Sequence, residues 1–200
     1  MYNMKTKLLL ATLPLLWAVT LSAQEAKYEI KSAVITKTVE MMGQKMEGVQ
    51  YIDDYGKKES VQIKMLMPGT PDTYLQIRTI TKGDTMITVN LTNKMGNKMV
   101  LPDKPVNYLK LTPEIKEKYK LKELGQEEVI GKPCNKYSLE VNQMGQTVSI
   151  TVWIWKGIAL KTITNGGGMT MSETVTEIKE SATIDAEVFS IPADITVQGM

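Results

Sequence analysis

The chain of 200 residues contains no histidine. Histidine is the side chain that most often serves as a general acid or base, partners a serine or cysteine nucleophile, and binds zinc. Its absence excludes Ser-His and Cys-His catalysis and nearly all common zinc or iron sites. The composition therefore favours a protein that is not an enzyme and that uses no metal or other cofactor.

Cysteine is almost as scarce, since Cys134 is the only one. A single cysteine cannot form a disulfide within its own chain. One interpretation is a reactive thiol or an intermolecular bridge, and the other is a small buried residue beside the Lys132-Pro133 turn. We favour the buried residue, because free cysteine packs like a small hydrophobic side chain.

Two other patterns that would indicate catalysis are also weak. The paired carboxylates are Asp53-Asp54 and Glu127-Glu128, and adjacent residues of a strand point to opposite faces, so neither pair is an acid/base couple. The run Gly166-Gly167-Gly168 is not followed by a helix or by the Lys-Ser/Thr pair of a phosphate-binding loop. We interpret it as the tip of a hairpin.

The chain has no excess of charge of either sign. It contains 24 lysines and arginines against 22 aspartates and glutamates, and the two groups balance once Lys5 and Lys7 of the first segment are set aside. The lysines are scattered among acidic residues and threonines. Neither nucleic acid nor an anionic surface is therefore indicated as a partner.

The first segment has the composition of an export signal. Two lysines precede an apolar run over residues 8–21, and the small residues Ser22 and Ala23 follow the run. This order is typical of a secretory signal peptide, and the run is shorter than the ~20 apolar residues of a membrane span. We expect a signal peptide at residues 1–23, a single domain at residues 24–200, and a periplasmic or secreted location after cleavage near Ala23.

The clearest strand pattern lies between Gly125 and Lys161. Apolar and polar residues alternate from Lys136 to Asn142, and Gly145 permits a hairpin turn. The next strand places four aliphatic residues on one face: Val148, Ile150, Val152 and Ile154. Trp153 and Trp155 fall on its other face. With a second turn at Lys156-Gly157, the stretch predicts a three-stranded antiparallel meander.

Similar alternation predicts strands over most of the chain. One strand carries four apolar residues on a single face: Val61, Ile63, Met65 and Met67. A short helix is predicted after Thr112, a good N-cap, with Pro113 at its first position, and one helical turn near Asp185. The fold class is mainly β (α+β): a strongly curved, half-open antiparallel β-barrel of about ten to eleven strands with one or two short helices.

Methionine is abundant, with 14 residues. Met65 and Met67, and likewise Met169 and Met171, place two thioethers on one strand face. These pairs allow a Cu(I) site, an apolar surface that adapts to varied ligands, or ordinary core packing. Core packing is favoured for most of them.

Three segments resemble a known group of exported proteins. They are IGKPCNKY at residues 130–137, VWIWKGI at residues 152–158 and FSIP at residues 189–192. They are similar to segments of the lipoprotein-localisation-carrier superfamily, the LolA/LolB-like proteins and their uncharacterised relatives. The resemblance implies a half-open barrel with helices on one side and an apolar cavity that shelters acyl chains. Characterised carriers regulate ligand release with an arginine on an early strand, and the sole arginine here is Arg78.

We therefore expect a non-enzymatic carrier that holds a lipid acyl chain or another lipophile, including that of a lipoprotein, in an apolar concavity. The candidate lining consists of the two aliphatic rows named above, Val61 to Met67 and Val148 to Ile154. The alternative is a structural or protein-interaction module with a filled core, which binds its partner through exposed Trp153 and Trp155. We also expect a monomer that makes transient contact with membrane-bound partners.

Overall fold

A computed structural model describes residues 25–67, 70, 73–101, 105–143 and 145–199. The predicted signal peptide lies outside these residues, as does Met144. Among the described residues, the secondary structure consists of twelve strands, one α-helix and two short 3-10 turns.

The strands follow one another with few interruptions. They are β1 Ala33–Met41, β2 Gln44–Asp53, β3 Lys58–Leu66, β4 Tyr74–Lys82, β5 Thr85–Asn90, β6 Met95–Val100, β7 Lys122–Val129, β8 Lys132–Gln143, β9 Gln146–Trp155, β10 Ile158–Gly166, β11 Met169–Glu180 and β12 Thr196–Gly199. The helix α1 spans Pro113–Lys118, and the 3-10 turns span Asp54–Gly56 and Ala186–Phe189.

All twelve strands form one unclosed sheet in the order β12-β6-β5-β4-β3-β2-β1-β11-β10-β9-β8-β7. Every pairing is antiparallel except that of β12 with β6, which is parallel. The predicted fold class, a curved half-open antiparallel barrel, is confirmed, and the sheet has twelve strands where about ten to eleven were expected. The two strands that the sequence did not predict, β7 and β12, are the two edges of the sheet.

The predicted meander is present as β8, β9 and β10. Tyr137 pairs with Val152 across the first hairpin, and Ile158 pairs with Trp155 across the second. The strands are longer than the alternation suggested, and β10 contains a bulge near Leu160, where the register shifts. The prediction for this stretch is confirmed.

The helix begins where it was expected. The Thr112 side chain accepts a hydrogen bond from the Ile115 backbone N–H at 3.4 Å, and Pro113 occupies the first helical position. These two residues define the start, because a capping oxygen satisfies a free N–H and proline needs no donor there. The helix ends at Lys118.

Two groups of buried side chains stabilise the sheet. The larger group, here called the lower cluster, contains residues of β1, β2 and β7 to β11, among them Ile35, Cys134, Trp153 and Leu160. The smaller group, the helix-side cluster, contains residues of β8 and β9 together with Leu121 just after the helix. Cys134 is fully buried, as predicted.

The segment before β1 packs at one end of the sheet, the end at which β2 turns into β3 and β9 turns into β10. We call this end the lower end. The backbone of this segment donates hydrogen bonds from Lys27 to the Tyr55 carbonyl at 2.9 Å and from Glu29 to the Lys156 carbonyl at 3.1 Å. Tyr28 donates its hydroxyl to Glu59, and burial together with that carboxylate raises the pKa of Tyr28 well above its usual value. This segment therefore joins the β2–β3 turn to the β9–β10 turn.

Gly157 is required where this segment crosses the β9–β10 turn. Its φ is +84°, and a Cβ there would lie 2.4 Å from the Lys27 carbonyl oxygen. We expect Gly157→Ala to lower the free energy of unfolding by about 2–4 kcal/mol, because left-handed backbone costs an L-residue ~1–2 kcal/mol and the crossing segment must also shift. Urea unfolding followed by circular dichroism measures the loss.

Gly131 provides the matched control for that substitution. Its φ is +72°, but nothing lies within 4 Å of the position its Cβ would take. Gly131→Ala should therefore show the backbone cost alone. Equal losses in the two variants would contradict the importance of the Lys27 crossing.

Candidate functional site

Cross-strand pairing places the two predicted aliphatic rows on the same face of the sheet. Directly paired residues share a face, and side chains alternate along a strand. The chain of pairs is Val152–Thr162, Thr162–Glu173, Glu173–Val39 and Val39–Met46. Two residues beyond Met46, Gly48 pairs with Ile63. Val152 and Ile63 therefore lie on one face, which we call the front face.

The front face includes most of the predicted lining residues. Val61, Ile63 and Met65 lie on it in β3, and Val148, Ile150, Val152 and Ile154 lie on it in β9. Met67 follows the last residue of β3 and is exposed. Its backbone N–H still donates a hydrogen bond to the Thr73 carbonyl at 2.9 Å, just beyond the last pair of β3 and β4.

The α1 segment covers one part of the front face. Val152 and Ile154 are buried in the helix-side cluster, against Tyr108, Leu111 and Tyr119. The Tyr108 ring lies 5.9 Å from the Tyr137 ring, centroid to centroid, and burial raises the pKa of Tyr108 to about 12. At this place the face is a closed core, so Val152 and Ile154 lie beneath the helix segment and line no open concavity.

The part of the front face on β3, β4 and β5 is only partly buried. It carries six apolar side chains of intermediate exposure: Val61, Ile63, Met65, Leu75, Ile77 and Met86. None of them belongs to the lower or helix-side cluster. This part of the sheet therefore presents an apolar surface that the described residues do not bury.

The opposite face of the same strands is covered by the C-terminal segment. Arg78 donates hydrogen bonds to the backbone carbonyls of Glu187 at 3.1 Å and Ser190 at 3.2 Å. Phe189, the last residue of the second 3-10 turn, is buried. The sole arginine thus holds the C-terminal segment on the back face.

A pocket of about 380 Å³ opens on the front face near the ends of β1, β9, β10 and β11. Its lining consists of Met41, Gln146, Val148, Thr164, Gly166, Gly167, Met169 and Met171. Of the predicted lining residues only Val148 is among them. Met41 and Met171 are direct cross-strand partners, so their thioethers face the same space. The sequence indicates the Met169/Met171 pair, but no local pattern joins that pair to Met41 or Val148.

Ile63 contributes to a different and more polar pocket. That pocket has a volume of about 250 Å³, and Ile77 and Leu91 line it together with polar residues such as Gln62 and Lys64. The two predicted rows thus share a face, but they do not share a pocket.

One ion pair lies on the front face between these regions. The Lys37 Nζ is 2.6 Å from a Glu173 carboxylate oxygen, and both side chains are largely buried. Gly48 leaves room for it, because a Cβ at that position would lie 3.1 Å from the Lys37 Cγ. The opposite charges of the pair compensate each other where they lie.

The two predicted partner-binding tryptophans differ in exposure. Trp153 is 3% exposed and belongs to the lower cluster, on the other face of β9 from Val152. Trp155 is partly exposed, with Lys132 and Lys156 Nζ 4.7 and 4.5 Å from its ring centroid. The expectation that the tryptophans lie opposite the aliphatic row is confirmed, and the expectation that Trp153 is exposed is wrong. Trp153 packs in the lower cluster with Ile30 of the segment before β1 and with Cys134.

Among the described residues, no cluster of three or more histidine, cysteine, aspartate or glutamate side chains is arranged to bind a metal ion. Within the same part of the chain, no helix has the length and apolar character needed to cross a membrane.

No family model and no curated protein matches the sequence. Solved structures do match the fold. An uncharacterised conserved protein of Thermus thermophilus aligns over 86% of this chain and 92% of its own, at 11% identity and a TM-score of 0.54. MucB of Pseudomonas aeruginosa, solved in complex with MucA, aligns over 86% of this chain at 14% identity and a TM-score of 0.50.

This chain spans 59% of the length of that MucB complex chain. LprF of Mycobacterium bovis aligns over 86% of this chain and 92% of its own, at 12% identity and a TM-score of 0.41. The likenesses at 11% and 14% identity show the fold alone. The chain is similar to these proteins in its curved, unclosed antiparallel sheet.

Proposed function

We propose that this chain is an exported, non-enzymatic carrier that holds the acyl chain of a lipid or lipoprotein on the front face of its sheet. The observation that carries the proposal is that one face of the sheet presents both an open apolar surface and an apolar pocket. Partly exposed apolar side chains cover it on β3 to β5, and the methionine-lined pocket opens on it at β1, β10 and β11.

The chemistry of the pocket suits a hydrocarbon ligand. Its volume of about 380 Å³ falls within the ~300–1,000 Å³ of small-molecule pockets. Burial of a chain there would contribute about 0.8 kcal/mol for each methylene group removed from water. Met41, Met169 and Met171 have unbranched side chains that adapt to chains of different length. No covalent step and no cofactor is needed.

A second candidate function is the binding of a protein partner. MucB, which shares the fold, was solved bound to the protein MucA. The filled helix-side cluster and the partly exposed Trp155 favour this candidate. Under it, the front face would meet a peptide or a protein surface, and no lipid would be held.

Native mass spectrometry of the purified chain, with titration of a fatty acid, tests the first function. We expect a lipid to co-purify with the protein. Protein from which lipid has been removed should bind one equivalent of palmitate, and the concentration of free palmitate should fall accordingly. The physical reason is that an apolar surface open to water gains free energy when a hydrocarbon covers it. A protein that shows only its ligand-free mass and binds no added fatty acid would contradict the carrier proposal. The protein-binding function would then remain.

A further inference from the structure

The two ends of the sheet differ in polarity. In an antiparallel sheet successive turns alternate between the ends, so the hairpins β1–β2, β3–β4, β5–β6, β8–β9 and β10–β11 all turn at one end, the upper end. Exposed apolar residues gather there, next to the strand ends: Met41, Met42, Leu66, Met67, Met95 and Met169. We call this set the hairpin rim.

The lower end has a different composition. Its β2–β3 turn carries Asp53, Asp54 and Lys57, and its β4–β5 turn is Lys82-Gly83-Asp84-Thr85. Exposed apolar side chains occur there too, namely Tyr55, Met99, Val100 and Ile130, but each lower turn between paired strands also carries charge. The methionines of the upper turns have no counterpart in these lower turns. Exposed apolar side chains grouped at one end of a protein indicate a surface that another phase or molecule covers.

Two of the lysines near the rim lie in ion pairs. Lys45 pairs with Glu40 at 2.9 Å, and Lys94 pairs with Asp194 at 3.1 Å. The Lys64 ammonium keeps its charge and lies 4.0 Å from the centroid of the Tyr74 ring. Apolar contact is therefore the main attraction that the rim offers.

The rim is continuous with the mouth of the pocket. Met41 and Met169 belong to both, and the sheet order places the tips of β1–β2 and β10–β11 side by side. Met42 is 75% exposed at the β1–β2 tip, and its φ of +52° is that of a tight turn. Flexible apolar side chains on separate tips can enter a fluid lipid layer one by one, whereas a protein interface needs a continuous, closely packed patch.

We infer that the hairpin rim docks the protein on a lipid membrane surface by inserting Met42, Met169 and their neighbours among the acyl chains. The partner that covers the rim is the lipid bilayer itself. An acyl chain that leaves the bilayer would meet the mouth of the pocket between Met41 and Met169. This inference goes beyond the proposed function, since a rim can dock whether or not the pocket holds a ligand.

Co-flotation of the full chain with neutral phosphatidylcholine vesicles tests the inference. We expect the wild-type protein to float with the vesicles and its bound fraction to be unchanged by 0.5 M salt, because the vesicles carry no net charge for the protein to attract. Met42→Asp should lower the partition coefficient about tenfold, as expected when an apolar side chain is replaced by a charge that resists burial.

Ile130→Asp is the matched control. Ile130 is also an exposed apolar residue at a left-handed turn position, with φ +46°, but it lies at the lower end. It should leave flotation unchanged. Failure of the wild-type protein to float, equal loss in the two variants, or loss of flotation at high salt would each overturn the inference, as would self-association through the rim without flotation.

The outcome is separable from that of the proposed function. Met42→Asp should still take up palmitate from solution, because Met42 is not among the pocket residues. Flotation without palmitate uptake would overturn the carrier function and support the docking rim. Uptake without flotation would do the reverse.

Discussion

Replacing Trp153 with alanine is expected to lower the free energy of unfolding by about 3–5 kcal/mol, the usual cost of truncating a buried tryptophan. The indole is 3% exposed and packs in the lower cluster with residues of β1, β8 and β10. Lys136 and Lys161 Nζ lie 4.6 and 4.7 Å from its ring centroid, so two lysine stems also cover it. Urea unfolding monitored by circular dichroism measures the change.

Trp155→Ala is the control, because that indole lies on the same strand but is only partly buried. We expect its cost to be about half as large or less, since less apolar area is lost from the core. The pair of variants also separates a structural role from a partner-binding one. A Trp153 variant that keeps full stability and loses only a protein partner would contradict the buried, structural role of this side chain.

Replacing Ile77 with glutamate is expected to weaken fatty-acid uptake about tenfold or more. Ile77 lies on the open front face between Ile63 and Asn90, its partners on β3 and β5. A carboxylate beneath a bound hydrocarbon must lose its water, and that penalty exceeds the ~1.4 kcal/mol that corresponds to a tenfold change in affinity. Displacement of a fluorescent fatty acid measures the affinity.

Gln76→Glu is the matched control for this variant. Gln76 is the neighbouring residue on β4, it is exposed, and its side chain points to the opposite face. It should leave uptake unchanged while adding the same charge to the protein. Thermal unfolding of both variants shows whether the fold persists. Equal uptake by wild type and Ile77→Glu would remove β4 from the binding surface and restrict it to the pocket.

Much of the fold follows from short patterns in the sequence. The alternation in β8 and β9, the turn at Lys156-Gly157 and the capped start at Thr112 were all predicted and are all present. These features depend on neighbours within a few residues, where side-chain direction and turn chemistry act directly. The opposite orientation of Trp153 and Val152 is likewise a local feature, because successive side chains of a strand point to opposite faces.

The two edge strands were missed for a physical reason. The segment of β7 is polar, with seven of its eight residues exposed, so it has no apolar alternation to reveal it. β12 has four residues and pairs in parallel with β6, about a hundred positions earlier in the chain. Its partner residue Gly96 has little room for a side chain, because a Cβ there would lie 3.1 Å from Val197 of β12 and 2.8 Å from Val89, and no local pattern predicts these contacts.

The sequence by itself determined the strand pattern, the composition that argues against histidine chemistry, and the division of each strand into an apolar and a polar side. Only the tertiary structure decided which apolar sides share a face, that the α1 segment covers Val152 and Ile154, that Arg78 holds the C-terminal segment, and that Met41 joins Met169 and Met171. Alternation along a strand is a local property of the backbone, whereas burial depends on which distant strand or loop packs against it.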